Sequence, residues 1–91
     1  MAKVDVRLFA TVREAAGVSE LSVQAKTVGE LLDALSSRLG KAFEAVVRST
    51  ESDPERLVIM INGRNVSPTA LRGHRLSDGD DVAIFPPVSG G

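Results

Sequence analysis

The chain has no cysteine. That excludes a disulfide framework, a thiolate metal site and a cysteine nucleophile. Its single histidine, His74, cannot build a metal cluster alone, and the neighbours Gly73 and Arg75 suggest an exposed loop. Neither sign of charge dominates. Eleven Lys and Arg against twelve Asp and Glu leave a formal net charge of −1, so nothing points to the basic face that marks nucleic-acid binding. No apolar run approaches the roughly 20 residues of a membrane-spanning helix. Met1-Ala2-Lys3 leads into an alternating pattern rather than a signal-peptide core, so the expected location is cytoplasmic. Gly-x-x-x-x-Gly-Lys and Gly-x-Gly-x-x-Gly loops are missing, and no Ser/His/Asp arrangement can be placed. Asp78, Asp80 and Asp81 have a cation-loop look. No bidentate Glu follows at EF-hand spacing, however, and a turn entering a strand accounts for them. No bound metal or cofactor is expected.

What is present fits one small domain of 91 residues, 43% of them hydrophobic. From Lys3 to Ala10, Val4, Val6 and Leu8 alternate with Asp5, Arg7 and Phe9, the period of a half-buried strand. Val18 to Ala25 repeats the pattern, and Thr11 to Gly17 connects the two as a hairpin. Thr27 and Glu30 form a capping box ahead of Val28, Leu31, Leu32, Leu35 and Leu39, whose spacing predicts a helix stopped by Gly40. Phe43, Val46 and Val47 could add a helical turn, whereas the polar stretch from Ser49 to Glu55 reads as a surface loop. The apolar run Leu57 to Ile61 followed by Asn62-Gly63 predicts a strand and a tight hairpin, with Arg64 to Val66 returning. Leu76 is expected to plug the core, Ser77 to Asp80 to turn, and Asp81 to Phe85 to form the last strand.

This ββαβββ order predicts an α+β fold, a mixed sheet of about five strands packed on one main helix. The ubiquitin-like β-grasp fits it, and by analogy its first and last strands would pair in parallel at the centre. Residues 1–85 are expected to form that domain and 86–91 a flexible diglycine tail. No charged residue follows Asp81. Pro86 and Pro87 have fixed φ and bias the residues before them to extended geometry. At about 3.1 Å per residue, residues 86–91 would reach roughly 20 Å. Val88, Ser89, Gly90 and Gly91 would then form a narrow tip able to enter a channel that side chains would block. At a glycine frequency of about 7%, two terminal glycines occur by chance in roughly one chain in 200.

Two stretches carry a family resemblance. The first is Val6-Arg7-Leu8-Phe9-Ala10 with Val12-Arg13-Glu14, closed by Gly17. The second is Leu76-Ser77-Asp78-Gly79-Asp80-Asp81-Val82-Ala83-Ile84-Phe85-Pro86-Pro87-Val88-Ser89-Gly90-Gly91. Over nearly its whole length the chain resembles the ubiquitin-fold sulfur carriers, specifically the small subunit of molybdopterin synthase (the MoaD family). Thiamine-pathway carriers share fold and diglycine but are generally shorter and lack the Phe-Pro-Pro element.

The resemblance implies a carrier or cosubstrate rather than an enzyme, with Gly91 as the reacting residue. A MoeB-like adenylating enzyme of the ubiquitin-activating type would use ATP to form an acyl-adenylate on Gly91. A sulfur donor would convert it to a thiocarboxylate. The MoaE-like large synthase subunit would then deliver that sulfur to a pterin precursor. The catalytic groups and the ATP site would belong to those partners.

Two of the three phenylalanines, Phe9 and Phe85, share the strand face turned away from the helix. If the first and last strands are neighbours, the rings meet beside the tail. They then either complete a small secondary core or form a partner-docking patch, which Val58 or Met60 could join. A ubiquitin-like protein modifier of the small archaeal type, joined through Gly91 to target lysines, is the alternative function. A thiamine-pathway sulfur carrier and a non-conjugating binding module are the remaining, less favoured readings.

Overall fold

Alternation at both ends of the sequence sets the sheet. The computed structural model describes residues 2–53, 56–67 and 70–87. β1 (Ala2–Leu8) buries every second residue, from Ala2 to Leu8, and leaves Lys3, Asp5 and Arg7 exposed. β2 (Glu20–Ala25) runs antiparallel to it, with Val4 opposite Val23. The other strands are β3 (Val58–Ile61), β4 (Arg64–Asn65) and β5 (Asp81–Phe85). The sheet order is β2-β1-β5-β3-β4, and β5 lies parallel to β1 and antiparallel to β3. The central parallel pair is the mark of the β-grasp, and the fold is the expected α+β one.

The helical layer is larger than one main helix. The connection between β1 and β2 is itself a helix, α1 (Ala10–Ala16), which turns Val12 and Ala16 into the core. It ends at Gly17, where φ is +78°. Consequently β1 stops at Leu8 rather than Ala10, and Val18 lies outside β2, exposed. α2 (Val28–Leu39) is the expected capped helix, with Thr27 Oγ1 accepting from the Glu30 amide at 3.2 Å. Beyond Gly40 the chain continues as α3 (Lys41–Ser52). The surface-loop reading of Ser49 to Glu55 is therefore corrected for its first part, while Pro54 and Glu55 lie outside the described residues. The reason is local. Phe43 and Val47, one turn apart, are both buried and anchor the helix. Ser49, Thr50 and Ser52 each turn their hydroxyl back onto a carbonyl three residues earlier, which makes them compatible with the helix.

The loop between β4 and β5 is docked onto the start of α2. The Val28 and Gly29 amides donate to the His74 and Arg72 carbonyls, each at 2.9 Å. A Cβ on Gly29 would stand 2.9 Å from the Arg72 carbonyl oxygen, so this approach requires glycine. Leu71 and Leu76 from the same loop are buried, the latter as expected. At the other hairpin, Asn62 and Gly63 have φ of +53° and +82°, the two positive values a type I′ turn needs. The return strand β4 is shorter than expected, since Val66 lies past its end. Among the described residues the core contains no buried polar side chain.

Candidate functional site: the open sheet face beside the tail

β5 sends Val82 and Ile84 into the core and Asp81, Ala83 and Phe85 to the opposite, uncovered face. The register places Val58 against Phe85 and Met60 against Ala83 on that face, all four half-buried. This settles the phase of β3, which its unbroken apolar sequence could not reveal. Both Val58 and Met60 join the patch.

Phe9 reaches the patch from outside β1. Its backbone stays extended, with φ −127° and ψ 151°, and its amide donates to the Ile84 carbonyl at 3.1 Å. The Phe9 carbonyl in turn accepts from Val12 and Arg13 at the start of α1. Ala10 then takes a φ of +52°, an unfavourable value for a residue with a Cβ. Held this way, the Phe9 ring stacks on Phe85 with centroids 4.5 Å apart and planes 7° from parallel. Both rings remain half-buried, so the stacked pair forms an apolar platform on the uncovered sheet face.

Pro86 is half-buried and Pro87 exposed directly after Phe85. The chain thus leaves the sheet at the stacked pair. Val88, Ser89, Gly90 and Gly91, also assigned to the site, lie outside the described residues.

The other end of the open face is polar. Arg7 forms an ion pair with Asp81 on the neighbouring strand, and Ser22 Oγ donates to Asp5 at 2.9 Å. Asp78 accepts from the Lys3 amide, and Asp80 from the Ser77 amide and the Asn62 side chain. These carboxylates hold turns together, and no group of three His, Cys, Asp or Glu suited to a metal occurs among the described residues. His74 is exposed in its loop. No helix of the described residues is long and apolar enough to cross a membrane.

The five-strand mixed sheet and its helices place the chain in the ubiquitin-like β-grasp class. The chain belongs to the ThiS family, whose model matches residues 6–91, and is a ubiquitin-fold sulfur carrier of the ThiS/MoaD type. It is not itself a catalytic enzyme. An Archaeoglobus fulgidus protein provisionally named a sulfur carrier is 32% identical over 88 residues, covering 97% of this chain and 98% of its own. The solution structure of small archaeal modifier protein 1 from Methanosarcina acetivorans matches with a TM-score of 0.76 and 34% identity, covering 100% of this chain and 98% of that one. A Pyrococcus furiosus protein provisionally named molybdopterin converting factor subunit 1 matches at TM-score 0.68 and 30% identity, covering 97% and 100% respectively.

Proposed function

We propose that this carrier works through the carboxylate of Gly91 and supplies sulfur to a pterin precursor in molybdenum-cofactor synthesis. The observation that carries the reading is the placement of the Phe9–Phe85 platform at the point where Pro86 and Pro87 lead the chain away. A partner seated on the platform receives the tail at the same time. Domain 1–85 acts as the handle and 86–91 as the arm that carries the reacting carboxylate.

A free carboxylate is a poor acyl donor because oxide is its leaving group. The Gly91 carboxylate attacks the α-phosphorus of ATP in a MoeB-like adenylating enzyme and releases pyrophosphate. The resulting acyl-adenylate is a mixed anhydride with AMP as a good leaving group. Hydrosulfide from a sulfur donor attacks the Gly91 carbonyl, AMP leaves, and loss of the sulfur's proton gives a thiocarboxylate. A MoaE-like large subunit then presents that sulfur to the pterin. Phe9, Phe85, Val58 and Met60 contribute binding, Pro86 and Pro87 direct the arm, and Val88 to Gly90 pass through the partner's channel. All of these steps take place in the cytoplasm.

A second reading is favoured by the match over the full chain to small archaeal modifier protein 1. In that reading a lysine amine of a target protein attacks the Gly91 carbonyl of the same acyl-adenylate, AMP leaves, and loss of a proton gives an isopeptide bond. Both readings share the adenylation step. The test is ATP–pyrophosphate exchange by the host's adenylating enzyme, with the full chain and with a chain lacking Gly91. Exchange with the first and none with the second is expected. Equal exchange by both would sink either reading. Lysine conjugates carrying a Val-Ser-Gly-Gly remnant in host extracts would favour the modifier.

A further inference from the structure

At the other end of β5 from the tail lies an open cleft of about 740 Å³. Arg64 from β4, His74, Arg75 and Ser77 from the docked loop, and Asn65 and Asp80 contribute to its lining. Two arginines and one aspartate thus contribute to the lining. That carboxylate is already engaged at both oxygens, one by the Asn62 side chain at 2.9 Å and the other by the Ser77 amide at 2.7 Å.

The guanidinium groups of Arg7, Arg38 and Arg72 are engaged by Asp81, the Ser22 carbonyl and Asp33. The side chains of Arg64 and Arg75, like those of Arg13 and Arg48 elsewhere on the surface, have no hydrogen-bond or ion-pair partner among the described residues. Their backbones are nevertheless fixed. Arg64 pairs with Ile61 in the hairpin, and Arg75 forms a bridge with Thr27 at the start of α2.

We propose that this cleft receives a short acidic segment of a partner protein, with two of its carboxylates taken by Arg64 and Arg75. A guanidinium fork matches a carboxylate in two parallel hydrogen bonds. The Asn65 and Ser77 side chains beside it offer further hydrogen bonds to a peptide. Arg64, Arg75 and His74 are all exposed, and exposed charge contacts are individually weak. A lone small anion gains little there, whereas two carboxylates on one peptide bind as a unit. Nucleic acid fits poorly, because no Phe, Tyr or Trp is among the described residues that line the cleft and the whole chain carries a net charge of −1. Four strand residues, about 13 Å, separate Asp81 at this end from Phe85. A segment bound in the cleft leaves the platform and the tail open to a second protein, so the carrier can be held by one partner while another uses the tail. This proposal goes beyond the Gly91 chemistry and does not depend on it.

The test is an amide chemical-shift titration of the ¹⁵N-labelled full chain with a hexaglutamate peptide, in low salt. Hexaglutamine, inorganic phosphate and a hexathymidine oligonucleotide serve as comparison probes. Saturable shifts at Arg64, Asn65, His74, Arg75 and Ser77 with hexaglutamate alone are expected. The Arg64→Glu, Arg75→Glu double variant should weaken binding by about tenfold or more with an unchanged melting temperature. If that variant does not fold, Arg64→Gln with Arg75→Gln gives the same comparison. Absent shifts, shifts confined to other residues, equal binding by the variant, or equal response to phosphate or oligonucleotide would each overturn the proposal.

Discussion

On one side of β5, Val82 and Ile84 are completely buried among core residues. On the other side, Asp81, Ala83 and Phe85 stay half-covered, as do their neighbours Met60 and Val58. The two sides differ in chemistry as well as in cover. The covered side is uniformly apolar. The open side grades along the strand from an Arg7–Asp81 ion pair to a stacked Phe9–Phe85 pair at the exit of the chain. A fold that needed only stability would have little reason to keep two rings at the surface. In the function we propose, the covered face serves folding and the open face serves to meet other proteins.

This contrast can be broken from either side. The largest effect is expected for Ile84→Ala, which leaves a cavity in a dry core. It should cost about 2–5 kcal/mol in urea unfolding. A cost under about 1 kcal/mol would show that the covered side is loosely packed. Phe85→Ala removes a half-exposed ring and its stacking partner's contact, so roughly 1 kcal/mol of stability is expected to go. Its affinity for the adenylating enzyme should fall by tenfold or more, about 1.4 kcal/mol. Unfolding without a binding defect would make the rings structural. The smallest effect is expected for Arg7→Ala. Its guanidinium and the Asp81 carboxylate are 48% and 46% exposed, so solvent screens the pair and the stability change should stay within about 0.5 kcal/mol. A larger loss would mean the polar end of the open face also belongs to the folding machinery.

Much of this arrangement was legible in the residues. β1 and β5 each have one covered face, so their alternation could be phased, and the meeting of Phe9 and Phe85 followed once the two strands were paired. The Thr27–Glu30 cap and the Asn62-Gly63 turn carry their own local chemistry and were equally readable. β3 was not, because Val58 and Met60 are apolar residues on the open face and erase the alternation. Its phase comes from the pairing of Val58 with Phe85, a contact distant in sequence. α1 was hidden by brevity: seven residues with two buried positions give too little periodicity. α3 was hidden by its serines and threonine, residues that favour turns unless a buried anchor such as Phe43 overrides them. The docked loop of Leu71 to Leu76 has no periodic signal at all, and Gly29 betrays it only after the Arg72 carbonyl is seen against it.

In the function we propose, the open face serves a reaction at the carboxylate of Gly91. Intact-mass measurement of the protein purified from its own host tests it most directly, with fragmentation to locate any change. The expected result is a fraction of molecules in which one oxygen of the Gly91 carboxylate is replaced by sulfur, absent when Gly91 is deleted. An unmodified C-terminus even when the adenylating enzyme, ATP and a sulfur donor are supplied would contradict it.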